Sequence, residues 1–478
     1  MSKQKKQIIA EVGTEKSSHY LSRRNMLKVA SAGIAGATVA YGLDMLGAFS
    51  GKERSIQEPP TDKMTFRVNP KNGDKISLFG FGCMRFPMQP NADTHNGPEV
   101  NEAAAFALVD YALAHGVNYF DTGWRYHQGA SEEVIGKALQ RHPRESFFLA
   151  TKMPGYLNLT LEQAKDIFET QLKKCRVDYF DYYLLHAIIS TNAYKTVYED
   201  QKVLDFLLEQ KARGRIRNLG WSFHGDKEAL EYLLSRNVSW DFAMVQLNYY
   251  DLLHGFVPAP FQTFIAKTPA PSQWMYEKML ASGIPLMLME PLKGGRLARL
   301  NKKTLAILQT DRPQSSAASW AFRYVGEMPN VLTILSGITY MEHLQDNLRT
   351  FSPLAHLSER EHGTLKRALD IFLTQEDIGC TTCGYCMPCP YGVDIPAVFS
   401  HYNRCLDDEQ IPKGSRDAAY ERARRAFLVG YDRSVPELRQ AERCTGCKQC
   451  VKHCPQFVNI PSEMVRLGKF VDDLKKQV

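Results

Sequence analysis

The chain is 478 residues long, enough for two or three domains. Its hydrophobic content of 44% is that of a globular protein, and a net charge of +7 over this length, with no arginine-rich arm and no zinc-finger spacing, gives no footing for nucleic-acid binding. Eight of its eleven cysteines crowd into two short runs near the C-terminus, a density that a disulfide framework in so long a chain does not use.

In chain order, the first feature is S-R-R-N-M-L-K, Ser22 to Lys28, followed by an Ala- and Gly-rich apolar stretch from Val29 to Phe49. It resembles a twin-arginine export signal, with Met26 where Phe is common. The stretch approaches the roughly 20 residues of a bilayer span. It is weakly hydrophobic and carries Asp44, which favours a cleaved or loosely held signal over a permanent anchor. The plain alternative is an amphipathic N-terminal helix. Residues 1–50 are therefore read as a signal segment, placing the protein in the periplasm or otherwise outside the cytoplasm, membrane-associated if uncleaved. Residues 51–63, with Pro59-Pro60, read as a linker.

Residues 64–355 open with a short hairpin, M-T-F-R-V and K-I-S-L-F around N-G-D, placed to cap the floor of a barrel. Eight short apolar runs then alternate with helical periods. They begin at Phe79, Val117, Phe147, Asp181, Ile216, Ala243, Pro285 and Val331. Eight βα units in this length predict a (β/α)8 TIM barrel in an α/β protein. No G-x-G-x-x-G follows the first strand, which argues against a doubly wound sheet. Chemistry in such a barrel sits at the C-terminal strand ends. Standing there are Asp121 after the second strand, Lys152 after the third, His186 after the fourth, Ser222 after the fifth and Gln246 in the sixth. A buried Lys needs a carboxylate, and Asp121 can supply it. Tyr126 lies on the loop after Asp121, and a Lys beside a phenol lowers its pKa. A nearby His can hold a substrate oxygen or relay a proton. Any one of these residues can be a capping or surface group; four together on three successive strands read as a site.

Residues 372–478 contain C-T-T-C-G-Y-C-M-P-C-P from Cys380 and C-T-G-C-K-Q-C-V-K-H-C-P from Cys444. Thiolates at steps of three wrap one cubane from a single loop, and the Cys-Pro turns the fourth thiolate toward a second cluster. This is the pattern of a small, mainly α, ferredoxin-like domain with two [4Fe–4S] clusters. By the two-cluster rule Cys380, Cys383 and Cys386 share a cluster with Cys454, and Cys444, Cys447 and Cys450 share one with Cys389. The first run has two residues, not three, before its Cys-Pro. Zinc is the rival, but a zinc ribbon uses two pairs of thiolates and leaves half of each run idle. Cys83, Cys175 and Cys405 read as small buried apolar residues. A basic stretch, Arg416 to Arg433, holds Arg422, Arg424 and Arg425, a solvated helix face or a docking face for an acidic redox partner. Clusters are assembled in the reducing cytoplasm, so a twin-arginine signal implies export of the folded, loaded chain by the twin-arginine machinery.

F-D-T-G-W-R-Y, A-T-K and D-Y-Y-L-L-H, in this order and on these strands, resemble the aldo/keto reductase family over Met64 to Phe351. The whole chain resembles the subgroup with a ferredoxin domain behind the barrel. The resemblance implies a carbonyl/alcohol substrate pair, with Tyr126 as general acid, His186 orienting the carbonyl, and Lys152 and Asp121 tuning the Tyr. It also implies NAD(P) across the mouth, with Ser222 and Gln246 at the carboxamide, Gly294 and Gly295 by the pyrophosphate, and Asn347 near the adenine. The sequence departs from the family in this half: Phe223 and His224 follow Ser222, Met289 stands where an aromatic stacks, and Gly337 and His343 stand where cations often hold an extra phosphate. Nicotinamides move two electrons together and clusters one at a time, and no flavin signature bridges them. Two functional classes remain: an exported oxidoreductase exchanging electrons with its clusters, or an electron-transfer or structural iron–sulfur protein whose barrel is not catalytic.

Overall fold

The structure is a computed structural model that describes residues 58–90, 99–255, 266, 268–374, 377–414, 416, 418–454, 456 and 458–476. The twin-arginine-like segment and most of the linker lie outside the described residues. Residues 58–478 form one compact unit.

Two antiparallel strands, β1 (Phe66–Val68) and β2 (Lys75–Ser77), form the hairpin, with Phe66 opposite Ser77. The barrel strands are β3 (Phe79–Gly82), then, after a two-residue ladder of β4 (Met88–Gln89) and β5 (Glu99–Val100), β6 (Tyr119–Asp121), β7 (Phe148–Met153), β8 (Phe180–Ile188), β9 (Ile216–Phe223), β10 (Phe242–Gln246), β11 (Leu286–Met289) and β12 (Val331–Gly337). They close in the order β10-β11-β12-β3-β6-β7-β8-β9, all parallel. All eight apolar runs picked out in the sequence are strands of this barrel.

The strands close because one set of side chains fills the inside. Tyr119, Tyr182, Leu184, Phe242, Met244, Met287 and Leu332 pack around Ile76 of the hairpin, which is fully buried. The Tyr182 hydroxyl donates to Asp74 Oδ2 at 2.6 Å and takes the Asn69 amide at 3.2 Å, tying the hairpin to the floor. Gly80 is needed here: a Cβ would lie 2.7 Å from Thr333 Oγ1 and 2.8 Å from Leu335 Cδ2. The opposite, C-terminal end of the strands is left for polar groups.

One element falls between the two regions drawn from sequence. Helix Glu359–Leu373 starts with a Ser358–Glu361 capping box. Its Leu365, Leu369 and Phe372 pack with Leu308 and Trp320 against the barrel's outside. Glu361 also meets the buried Arg323 at 3.3 Å. Beyond it, helices Ile395–Asp407, Tyr420–Ser434 and Ile460–Lys476 bury a second core of Val398, Phe399, Phe427, Tyr431, Met464 and Val471. The cysteine runs lie around this core, irregular apart from a 3-10 turn at Val451–His453. Among the described residues no helix is long and apolar enough to cross a membrane.

Candidate functional site

Asp121 ends β6 and Lys152 lies near the end of β7, neighbouring strands. Lys152 Nζ donates to Asp121 Oδ1 at 2.6 Å and to the Thr122 carbonyl at 2.5 Å, and the residue is 1% exposed. Burial pushes the Asp121 carboxyl up and Lys152 pulls it back. Behind them Gln171 donates to the Lys152 carbonyl at 3.0 Å and to the buried Glu132 at 2.7 Å, fixing the strand end that carries the ammonium. Removing one member of such a pair leaves a buried charge alone, at a cost of about 3–5 kcal/mol. Lys152→Met is therefore expected to lose about that much stability. The loss should deepen as pH rises, because a carboxyl whose folded pKa is raised stabilises the fold only while protonated. Thermal unfolding at two pH values checks both.

Tyr126 comes next, on the loop after β6. His127 and Gln128 take left-handed backbone (φ 51° and 57°), and His127 Nε2 accepts the Phe86 amide at 3.0 Å, so the loop is anchored. The Tyr126 ring lies under Lys152 Nζ, 4.9 Å from its centroid, and 6.1 Å from the His186 ring. Lys152 does not lower the phenol, as the sequence suggested: burial and the Asp121 charge push it well above its ordinary value. Burial, which disfavours the phenolate, is the main cause, and the Asp121 carboxyl beside the ring adds to it.

His186 comes where β8 slips register against β9, between Leu185 and Ile188. Ala187 takes a left-handed φ of 56°, a strained position for a residue with a Cβ. Its amide donates to Ser222 Oγ at 2.8 Å. Ser222, 1% exposed, thus holds the bulge that aims His186. Burial, with Lys152 and His224 nearby, drives the His186 imidazole well below its usual pKa, so it is neutral. Gln246 faces His224, whose pKa burial lowers to about 4. Tyr156 stands 5.3 Å from His186 and closes the far side.

Asp121, Tyr126, Lys152, His186, Ser222 and Gln246 are thus brought to one mouth. Asn347 reaches the same strand end, on Ser336 of β12, but it is 4% exposed and its amide is spent on Ser336 Oγ at 3.1 Å. Gly294 and Gly295 lie on the turn Lys293–Ala298 with φ of 65° and 105°. A methyl at Gly294 would overlap the Gln456 side-chain amide, and one at Gly295 would meet Thr381 at 3.7 Å. These residues do not fit a nicotinamide dinucleotide lying across the mouth, because the chain's own cysteine-bearing region already lies on them.

Glu290 is a site residue that sequence reasoning missed. It follows β11 directly, with φ 59°, and its carboxyl faces Arg85, Lys293 and the Gly294 amide. Burial raises its pKa. The signal was present, a carboxylate closing the apolar run L-M-L-M-E-P, at the same strand end as the other site residues.

The eight cysteines fall into two sets. Cys380, Cys383, Cys386 and Cys454 line one cavity of about 320 Å3, its open side included. Cys389, Cys444, Cys447 and Cys450 line a second of about 350 Å3. Each set takes one cysteine from the other run, as the two-cluster rule requires. Among the described residues no three His, Cys, Asp or Glu side chains converge on a single ion. The donor sets fit iron–sulfur clusters: four thiolates each, with apolar walls from Ile395, Phe399 and Ile460 around the first and Val393 and Met464 around the second. Cys83, Cys175 and Cys405 are buried, and no disulfide joins any cysteine. The first run touches the barrel: the Tyr385 hydroxyl donates to the Met84 carbonyl at 2.7 Å, and Arg85 stands 5.5 Å over its ring.

Residues 79–370 match the family model described as Aldo/keto reductase family, and residues 379–459 match the 4Fe-4S dicluster domain. The chain is 30% identical over 159 residues to "Probable aldo-keto reductase 1" of Glycine max, covering 31% of this chain and 42% of that protein. It is 25% identical over 288 residues to "Uncharacterized oxidoreductase YqkF" of Bacillus subtilis, covering 57% of this chain and 87% of that protein. A solved thermostable aldo-keto reductase bound to the inhibitor epalrestat shares the fold, with a TM-score of 0.50, 22% identity, and coverage of 64% of this chain and all of that one. With its closed eight-stranded barrel and cysteine-lined C-terminal region, the chain belongs to the aldo/keto reductase family and is an oxidoreductase carrying a 4Fe-4S ferredoxin domain.

Proposed function

We propose that this is an exported oxidoreductase interconverting an alcohol and its carbonyl, and that two [4Fe–4S] clusters take or supply the electrons. What carries the reading is the Tyr126 ring, held between Lys152 and His186 at a mouth against which the first cysteine run is packed through Tyr385. Oxidising one alcohol breaks its O–H and a C–H bond and releases two electrons and two protons; reducing the carbonyl takes up two electrons and two protons, one on oxygen through Tyr126 and one on carbon from solvent. Clusters held by the two cysteine sets would move electrons one at a time.

The chain's own residues handle the oxygen and its proton. Tyr126 gives a proton to the carbonyl oxygen in reduction and takes it back in oxidation. His186, neutral, offers a ring N–H to the same oxygen or accepts from the hydroxyl. The Lys152–Asp121 pair adds no net charge, so it positions the phenol without trapping it as phenolate. Ser222 keeps His186 aimed through the Ala187 amide. Tyr156 and the Tyr126 loop shield the oxygen from water.

Electrons must reach or leave through a partner. Helix Tyr420–Ser434 exposes Arg422 and Arg425, a basic face suited to an acidic redox protein, while Arg424 turns inward to the Leu474 carbonyl at 2.7 Å. The test is turnover of a panel of aldehydes, ketones and sugars by cluster-loaded protein with an artificial one-electron donor. No turnover of any of them, with clusters intact, shifts the reading to an electron-transfer protein with an idle barrel.

Export has its own test. Arg23→Lys with Arg24→Lys is expected to hold the protein in the cytoplasm with its clusters in place. Cell fractionation reads this directly, and an unchanged distribution overturns the signal assignment.

A further inference from the structure

We infer that the dinucleotide groove of this barrel is filled by the chain itself: Gln456, Thr381 and Glu290 occupy the surroundings of Gly294 and Gly295, and the site works without a dissociable nicotinamide. This concerns the cofactor of the proposed site and stands whether or not the substrate is a carbonyl.

Both glycines have positive φ, and the Gly295 amide already donates to the Leu292 carbonyl at 2.9 Å. In a groove awaiting a pyrophosphate such amides face open space. Here the Gln456 amide lies where a Cβ on Gly294 would stand, and Thr381 lies over Gly295. The Gly294 amide is already engaged by the Glu290 carboxyl. A pyrophosphate entering the turn would have to displace that carboxyl from the amide.

The nearby cations are also engaged. Lys293 Nζ bonds Asp251 Oδ1 at 2.5 Å, and Arg296 meets Asp377 at 3.3 Å with its guanidinium against Gly379. Arg85 leans over Tyr385 and reaches the Gly294 carbonyl at 3.4 Å. Arg299 donates to Thr382 Oγ1 at 2.8 Å. Arg296 and Arg299 thus fasten this region to the first cysteine run and the chain that leads into it, while Lys293 is held by Asp251 of the barrel. At the far end Asn347 is buried on Ser336. A dinucleotide would have to lift this interface away, and the interface is tethered, competing at an effective concentration of about millimolar or more.

The test titrates full-length, cluster-loaded protein with NADH and with NADPH, following the reduced nicotinamide's fluorescence, with iron content confirming the loaded state. Hydrogen exchange across residues 290–298 is read in the same samples. Expected is no saturable binding up to about 1 mM, near the top of ordinary Michaelis constants, and no change in protection. Saturable binding of one dinucleotide per chain in the micromolar range, with new protection at 290–298, overturns the inference. Turnover with a one-electron donor tests the substrate reading separately, so either can fail alone.

Discussion

Replacing Tyr126 by Phe should lower turnover of any working substrate by about 10²–10⁴-fold, the ordinary contribution of general acid–base catalysis. The change removes one hydroxyl and almost no volume. The ring keeps its place under Lys152 and beside His186, since both contacts are to the ring rather than to the hydroxyl. Stability and iron content should therefore stay at wild-type levels while the rate falls. The pH profile adds a second reading. Burial holds Tyr126 protonated and His186 neutral, one pKa moving up and the other down. Across the physiological range neither group changes charge, so the wild-type rate of carbonyl reduction should be flat there. A bell centred near neutrality would mean that the phenol titrates after all, under a Lys152 charge that Asp121 leaves free to act on it. An unchanged rate in Tyr126→Phe would remove Tyr126 from the chemistry.

The barrel is legible in the sequence because its signal is local and repeated. Each strand is a short apolar run, and the polar residue at its C-terminal end breaks the pattern where the mouth lies. Asp121, Lys152 and His186 stand out in that way. Glu290 carries the same signal but hides in P-L-M-L-M-E-P-L, where Met289 beside it holds the position of the stacking aromatic. Ser222 shows a different limit. Its place on β9 is clear, but its job depends on the slip between β8 and β9 and on the left-handed Ala187, which no local pattern announces. The packing of the first cysteine run on the Lys293–Ala298 turn is also out of reach of sequence patterns. It joins residues far apart in the chain through side chains such as Gln456 and Arg299, whose polarity reads as surface. Helix Glu359–Leu373 escapes assignment for a related reason: it lies past the last strand, and contacts distant in sequence, such as those with Leu308, Trp320 and Arg323, show that it belongs with the barrel.

The cysteine pairing can be tested most sharply by crossing it. If each cluster were held by one run, Cys389→Ser would damage the cluster of Cys380, Cys383 and Cys386. The geometry says otherwise: Cys389 faces the cavity of Cys444, Cys447 and Cys450, and Cys454 faces that of the first run. Cys389→Ser should therefore remove or weaken the second cluster, taking iron from roughly eight toward roughly four per chain. The cluster that remains should be the one beside Tyr385 and the barrel. Cys454→Ser should do the reverse, emptying the set next to the mouth. Iron and labile sulfide after anaerobic purification give the totals. Assigning the survivor needs a second substitution: Cys383→Ser added to Cys389→Ser should strip the rest, whereas Cys447→Ser added to Cys389→Ser should change little. The opposite pattern would show that each run closes its own cluster. It would also mean that the two residues between Cys386 and Cys389, one fewer than between Cys450 and Cys454, are enough to wrap a cubane alone. Protein holding about two zinc ions and no iron would overturn the cluster assignment altogether.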